Sequence, residues 1–106
     1  MRGRRLALVV STPPASGDLE RAADLAQAAR ARGIDVELFV MSAAVTGLVA
    51  QPGLIAALVD AGCEVVACAT SADDLGLGEV GGGVLLGSQD DHAAIVHRAD
   101  RVVAFT

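Results

Sequence analysis

Cys63 and Cys68 are the only cysteines in the 106-residue sequence, and they stand at the two ends of the run Cys-Glu-Val-Val-Ala-Cys. Cys68 is followed by Ala69-Thr70-Ser71-Ala72, a sequence that can open a short helix. A thiol at that junction feels backbone amides and the positive end of the helix dipole. Both favour thiolate over thiol and can lower a cysteine pKa from about 8.5. The chemistry on offer is therefore nucleophilic. Cys63 comes five residues earlier, roughly 16 Å away along an extended strand and on its opposite face. The two sulfurs cannot pair within one chain. Cys63 reads as a small buried apolar side chain, and on residue type and position alone Cys68 carries the same structural reading.

Other patterns offer less. Gly76-Leu77-Gly78-Glu79-Val80-Gly81 matches GxGxxG by letter. A dinucleotide site needs that motif after a strand and opening a helix, whereas here it precedes a strand and reads as a surface loop. His92 and His97 are five apart, roughly 140° around a helix, and do not make an i, i+4 metal pair. Asp90 and Asp91 read as charges that suit a helix N-terminus. No GxSxG elbow precedes a helix, and the chain contains no lysine for a phosphate-binding loop. Neither a metal nor an organic cofactor is expected.

The elements that must position Cys68 follow from the periodicity. Apolar, β-branched runs at residues 6–10, 34–40, 63–68, 84–86 and 101–105 predict five short strands. Between the first two, Leu19, Ala22, Ala23, Ala26 and Ala29 repeat at helical spacing within 18–32. Acidic Asp18 and Glu20 lie in the first turn, Arg30 and Arg32 in the last, and Gly33 is the stop. A second helical region over 43–50 breaks at Gln51-Pro52-Gly53 and resumes over 54–61. Ser88 followed by Asp91 predicts a capping box that opens a last helix, ending near Ala99. Alternating strands and helices predict an α/β fold: one domain over 1–106, a three-layer α/β/α sandwich with a mostly parallel sheet of four or five strands. Ligands gather beyond the carboxyl ends of such strands. Ser11, Thr12, Met41, Ala69, Thr70, Ser71, Gly87 and Ser88 are thus expected at the site rim around Cys68.

Composition narrows the partners. Apolar residues make up 53% of the chain but only Phe39 and Phe105 are aromatic, so the core must be aliphatic. The net charge of −5 opposes direct binding of a nucleic acid. The apolar run after Arg2, Arg4 and Arg5 stops after five residues, too short for an export signal or a membrane span. A cytoplasmic location with free thiols is expected.

Read in order, several segments resemble the DsrE/DsrF-like family of sulfur-relay proteins, which includes the TusD-type subunits. They are the strand and small-residue loop of 6–17, Ala31-Arg32-Gly33, the 36–40 strand and the apolar helix before Gly62. They continue with Val65-Val66-Ala67-Cys68-Ala69-Thr70-Ser71, Gly83-Val84-Leu85-Leu86-Gly87-Ser88 and the 99–105 segment. The resemblance implies a compact subunit of a trimer or hexamer, acting as a sulfurtransferase or sulfur carrier. Cys68, at the matching position, would carry the sulfur as a persulfide between sulfur-donor and sulfur-acceptor proteins. One departure stands out: many members place an arginine before the glycine after the cysteine loop, whereas this chain reads Asp73-Asp74-Leu75-Gly76. The alternative reading is a non-catalytic assembly or small-molecule-binding subunit of such an oligomer. The apolar stretches at 45–49 and 54–59 are expected at the contact between copies.

Overall fold

A computed structural model describes residues 4–77 and 80–106. Five strands, β1 (Arg5–Val10), β2 (Asp35–Val40), β3 (Glu64–Cys68), β4 (Leu85–Gly87) and β5 (Arg101–Phe105), form one sheet in the order β4-β3-β2-β1-β5. Every pairing is parallel. The helices are α1 (Asp18–Ala31), α2 (Ala44–Ala50), α3 (Pro52–Asp60), α4 (Ala69–Asp74) and α5 (Gln89–Arg98), with a single 3₁₀ turn at Pro14–Ser16. The α/β sandwich expected from the sequence is the fold observed.

The two outer layers are unequal. On one face, Leu8, Val10, Leu38, Val40, Val65 and Ala67 pack against Leu19, Ala22, Ala23 and Ala26 of α1, Val45 and Leu48 of α2, and Ile55 and Leu58 of α3. The alanines let α1 lie close to the sheet, and Gly33, at φ +78°, ends that helical excursion in the left-handed region. On the other face Ala7, Phe39, Val66 and Cys68 are covered by α5, which contributes Ile95. Cys63 joins the first cluster and Cys68 the second, as their odd spacing requires.

α5 starts beside β4 at one edge of the sheet and hands over to β5 at the other. Five strands span roughly 19 Å and a ten-residue helix about 15 Å, so α5 crosses nearly the full width. Its start is fixed by the expected capping box: Asp91 N–H donates to Ser88 Oγ, and Ser88 N–H donates to Asp91 Oδ2 at 2.7 Å. Its end is fixed by Arg98, whose guanidinium donates through Nε to Glu37 Oε1 at 2.8 Å and through Nη2 to Glu37 Oε2.

One boundary and one surface differ from the sequence expectation. The break before α3 is confined to Gln51, because Pro52 takes the first helical position, where its missing N–H costs nothing. The expected contact helices are largely consumed by the core: Val45, Leu48, Ile55 and Leu58 are buried, leaving Val49 exposed. Uncovered apolar side chains lie instead at the sheet edges, Leu85 and Leu86 on β4 and Val102 and Val103 on β5. The GxGxxG segment at 76–81 falls partly outside the described residues.

Glu37, 8% exposed, is held below the usual carboxylate range by its hydrogen bond with Arg98, which outweighs burial. Neighbouring Glu64 is pushed up, first by burial and then by Glu37. The two have opposite linkage. Glu37 contributes stability above its unfolded pKa of 4.5, lost as pH falls through its lower folded value. Glu64 contributes most below 4.5 and loses that contribution as pH rises through its raised folded value. Glu37→Gln should therefore cost about 1 to 2 kcal/mol at pH 7, the charged hydrogen-bond value discounted for the half-exposed Arg98. Glu64→Gln should raise the melting temperature at pH 7, and the gain should close at about pH 4, where the carboxyl is protonated in both states. Thermal melts at the two pH values check both.

Candidate functional site

Cys68 is the last residue of β3 and the residue on which α4 opens, with extended backbone at φ −65° and ψ 117°. Its side chain lies on the α5 face with Phe39, Val66 and Ile95, and Met41 packs against that cluster. The residue is 3% exposed. Burial by itself pushes the thiol up. Hydrogen bonds from the Ser71 hydroxyl, the Ser71 and Thr70 backbone amides and the Gln89 side chain reverse that, and the net direction is down from the ordinary cysteine value. Cys63 shows what burial does without such donors: its thiol is pushed up, against a weaker pull from Arg30. The chain thus holds one thiol biased toward ionisation and one biased against it.

The two side-chain donors each have a further partner of their own. Ser71 Oγ accepts a 2.8 Å hydrogen bond from Ser42 N–H, which orients the hydroxyl from behind. Ser42 sits at φ +55°, a left-handed conformation that costs a non-glycine residue about 1 kcal/mol or more. That turn directs the loop after β2 onto α4. Gln89 Nε2 donates to Cys68 Sγ at 3.6 Å. Gln89 Oε1 in turn lies 3.1 Å from His92 Nδ1. The His92 ring stacks on Phe39, with centroids 4.9 Å apart and planes 12° from parallel.

Of the expected rim, Met41, Thr70 and Ser71 gather at the sulfur, and Ala69 begins α4. Gly87 is the register partner of Cys68 across the β3–β4 ladder. A Cβ there would stand 2.6 Å from Val66 Cγ1 and 3.0 Å from Asp91 Oδ2, so only glycine lets β4 and the first turn of α5 come this close. Ser88 serves its helix rather than the sulfur, its oxygen being spent in the capping box. Ser11 and Thr12 lie on the far side of β2 and turn away. Ser11 N–H donates to the Phe105 carbonyl on β5, and Thr12 Oγ1 donates to Asp18 at 2.8 Å, tying the β1 loop to α1.

Sequence reasoning missed Gln89 and His92 as sulfur neighbours. The signal was present in part: Gln89 and Ile95 each stand three residues from His92 on α5, and i, i+3 neighbours lie beside one another on a helix surface. Among the described residues, no group of three or more His, Cys, Asp and Glu side chains is arranged to hold a metal ion.

An open cavity of about 230 Å³ adjoins this network, lined by Ser42, Ala43, Ser71, Asp74 and Leu75. Asp74 faces that cavity, while the groups that set the ionisation of Cys68 are all uncharged donors. A second hollow of about 130 Å³ lies between β4 and α5, bounded by Val66, Leu85, Gly87 and Asp91 near the sulfur and by Glu64 and Arg98 at its far end. No helix among the described residues is long and apolar enough to cross a membrane.

Comparison with known proteins agrees with this architecture. The sequence profile of the DsrE/DsrF-like family matches residues 4–105. The crystal structure of the ychN protein from E. coli superposes with a TM-score of 0.84 at 25% identity, covering 98% of this chain and 100% of its own. A conserved protein of unknown function from Bacteroides thetaiotaomicron, BT1422, superposes with a TM-score of 0.82 at 13% identity, covering 95% of this chain and 94% of its own, and so attests the fold alone. No curated protein sequence matches the chain.

Proposed function

Because the chain belongs to the DsrE/DsrF-like family, which is generally associated with sulfur relay, we propose that it accepts sulfur as a persulfide on Cys68 and passes it on. The observation that carries this reading is the place of Cys68 at the carboxyl end of β3, where α4 opens, with Gln89 Nε2 donating to its sulfur at 3.6 Å and hydrogen bonding from Ser71 and Thr70 also drawing its thiol below the ordinary cysteine value. Donors of this kind stabilise a thiolate, and the thiolate is the attacking species in thiol exchange. The Cys68 thiolate attacks the outer sulfur of a donor persulfide. A new S–S bond forms to Cys68, the donor's S–S bond breaks, and the donor leaves as its thiolate. In the second half, an acceptor thiolate attacks the outer sulfur of Cys68–S–SH and releases Cys68 as thiolate again. Sulfur moves with no net oxidation, so neither a metal nor an organic cofactor enters the scheme.

Donor and acceptor are read as other proteins, in a cytoplasmic setting. The chain is read as a trimer or hexamer of identical subunits. The apolar side chains left open at both sheet edges favour self-association there: Leu85 is 53% exposed and Leu86 49%. A second reading, a non-catalytic assembly subunit, draws on the near-complete burial of Cys68. Site-resolved mass spectrometry after incubation with a polysulfide donor separates the two. The sulfur-relay reading expects a gain of about 32 Da, one sulfur atom, on the peptide holding Cys68 and none on the peptide holding Cys63. An unmodified Cys68 peptide would leave the assembly reading standing.

A further inference from the structure

We propose that His92 is a positioning residue for Cys68, acting through Gln89: its Nδ1 proton holds the Gln89 amide with the NH2 end toward the sulfur. The proposal rests on the reading of Cys68 as the sulfur-carrying residue, although its test reads Cys68 ionisation directly. A glutamine amide is nearly symmetric in shape and opposite in chemistry at its two ends. Turned one way, its NH2 donates to the sulfur and favours the thiolate. Turned the other way, its carbonyl accepts from S–H and favours the neutral thiol. The shape of Gln89 does not choose between these, so a neighbour must.

His92 is that neighbour. Its Nδ1 lies 3.1 Å from Gln89 Oε1, and in the Nδ1–H tautomer that the proposal assigns to it, that nitrogen pairs only with the oxygen end of the amide, whereas a bare Nδ1 would select the NH2 end. The imidazole is itself held flat against Phe39, which is 0% exposed and anchored in β2, so the ring cannot swing away without giving up that stack. The link is also local. Gln89 and His92 are i, i+3 neighbours in the first turn of α5, where the Ser88–Asp91 capping box fixes the backbone. A chain of three contacts, Phe39 to His92 to Gln89 to Cys68, thus carries the rigidity of the sheet to the polarity of one hydrogen bond.

The test uses a Cys63→Ala parent, so that Cys68 is the sole thiol, and follows the rate of iodoacetamide alkylation against pH. The midpoint of the profile reports ionisation, and its plateau reports access to the sulfur. His92→Phe keeps a ring on Phe39 but removes Nδ1. It should move the midpoint up by about one pH unit, a tenfold loss of thiolate at a given pH. Gln89→Ala should move the midpoint up by a similar amount while raising the plateau, because it uncovers the sulfur. The double variant should go no further than Gln89→Ala, since His92 acts only through Gln89. Gln89→Glu, which presents an acceptor whatever His92 does, should move the midpoint furthest. A His92→Phe midpoint equal to that of the parent, or shifts that add in the double variant, would overturn the proposal. Persulfide loading on the same proteins keeps the two ideas apart. Midpoints that move as expected in a parent that never loads reject the relay reading alone, whereas loading with an unmoved His92→Phe midpoint rejects the positioning role alone.

Discussion

Cys68→Ser should reduce sulfur uptake from a polysulfide donor to background, whereas Cys63→Ala should load like the unaltered protein. The difference is chemical before it is structural. A serine hydroxyl at Cys68 meets the same donors from Thr70, Ser71 and Gln89, but its proton is far too tightly held for those bonds to yield a nucleophile near neutral pH. Its oxygen also cannot hold a sulfane sulfur through an S–S bond. The swap is nearly isosteric and leaves the donors with an acceptor, so the fold should survive and circular dichroism should be unchanged. Cys63 lies across the sheet among aliphatic side chains with its thiol pushed up, and removing it leaves the exchange chemistry untouched. Intact-mass spectrometry of the two variants reads the result. Equal uptake by Cys68→Ser would end the relay reading.

Phe39→Ala should produce the largest loss of stability of any single truncation on the α5 face, about 3 to 5 kcal/mol. Phe39 is the largest fully buried side chain among the described residues and one of only two aromatic residues in the chain. The face it fills has one helix above it, with Ile95 as the buried residue of that helix, so few neighbours can close over the void. Against a total of about 5 to 15 kcal/mol for a typical domain, such a loss leaves the protein marginal. Urea denaturation gives the number directly. Phe39→Leu, which keeps most of the volume but removes the ring, should cost far less while still releasing His92. A loss below about 1 kcal/mol for Phe39→Ala would mean that α5 settles onto the sheet and fills the space.

The fold was legible because its signals are local and repeated. The β-branched runs gave the strands, Gly33 and Gly62 the helix stops, and Ser88 with Asp91 the start of α5, and each stands within a residue or two of its expected place. Pro52 shows where the reading slipped: a proline inside an apolar pattern reads as a break, but at the first helical position it is an opening. The site was half legible. Cys68, Thr70 and Ser71 are adjacent in sequence, so local reasoning placed the amides on the sulfur. Gln89 and His92 come from a helix that starts 21 residues further on, and their approach depends on how α5 lies across the sheet, which no spacing within the Cys68 segment encodes. Ser11 and Thr12 erred for the opposite reason. They do end a strand on the expected rim, but that strand is separated from β3 by β2. The 45–59 region reads by composition as surplus apolar surface, yet the aliphatic core on the α1 side of the sheet takes in Val45, Leu48, Ile55 and Leu58.

α5 buries one residue, Ile95, and is otherwise held by the His92 ring on Phe39 and by polar fastenings at its two ends, Gln89 on Cys68 and Arg98 on Glu37. An element secured this way can open by breathing, at a cost well below that of global unfolding. Lifting its first turn would bare the sulfur while the ion pair at the far end keeps the helix moored. Were Cys68 the sulfur carrier proposed above, its rate with a partner would follow how often that helix end frays rather than the width of a static portal, and slow amide exchange at Asp91 and His92, the first-turn amides bonded to Ser88, would mark a thiol that is seldom offered.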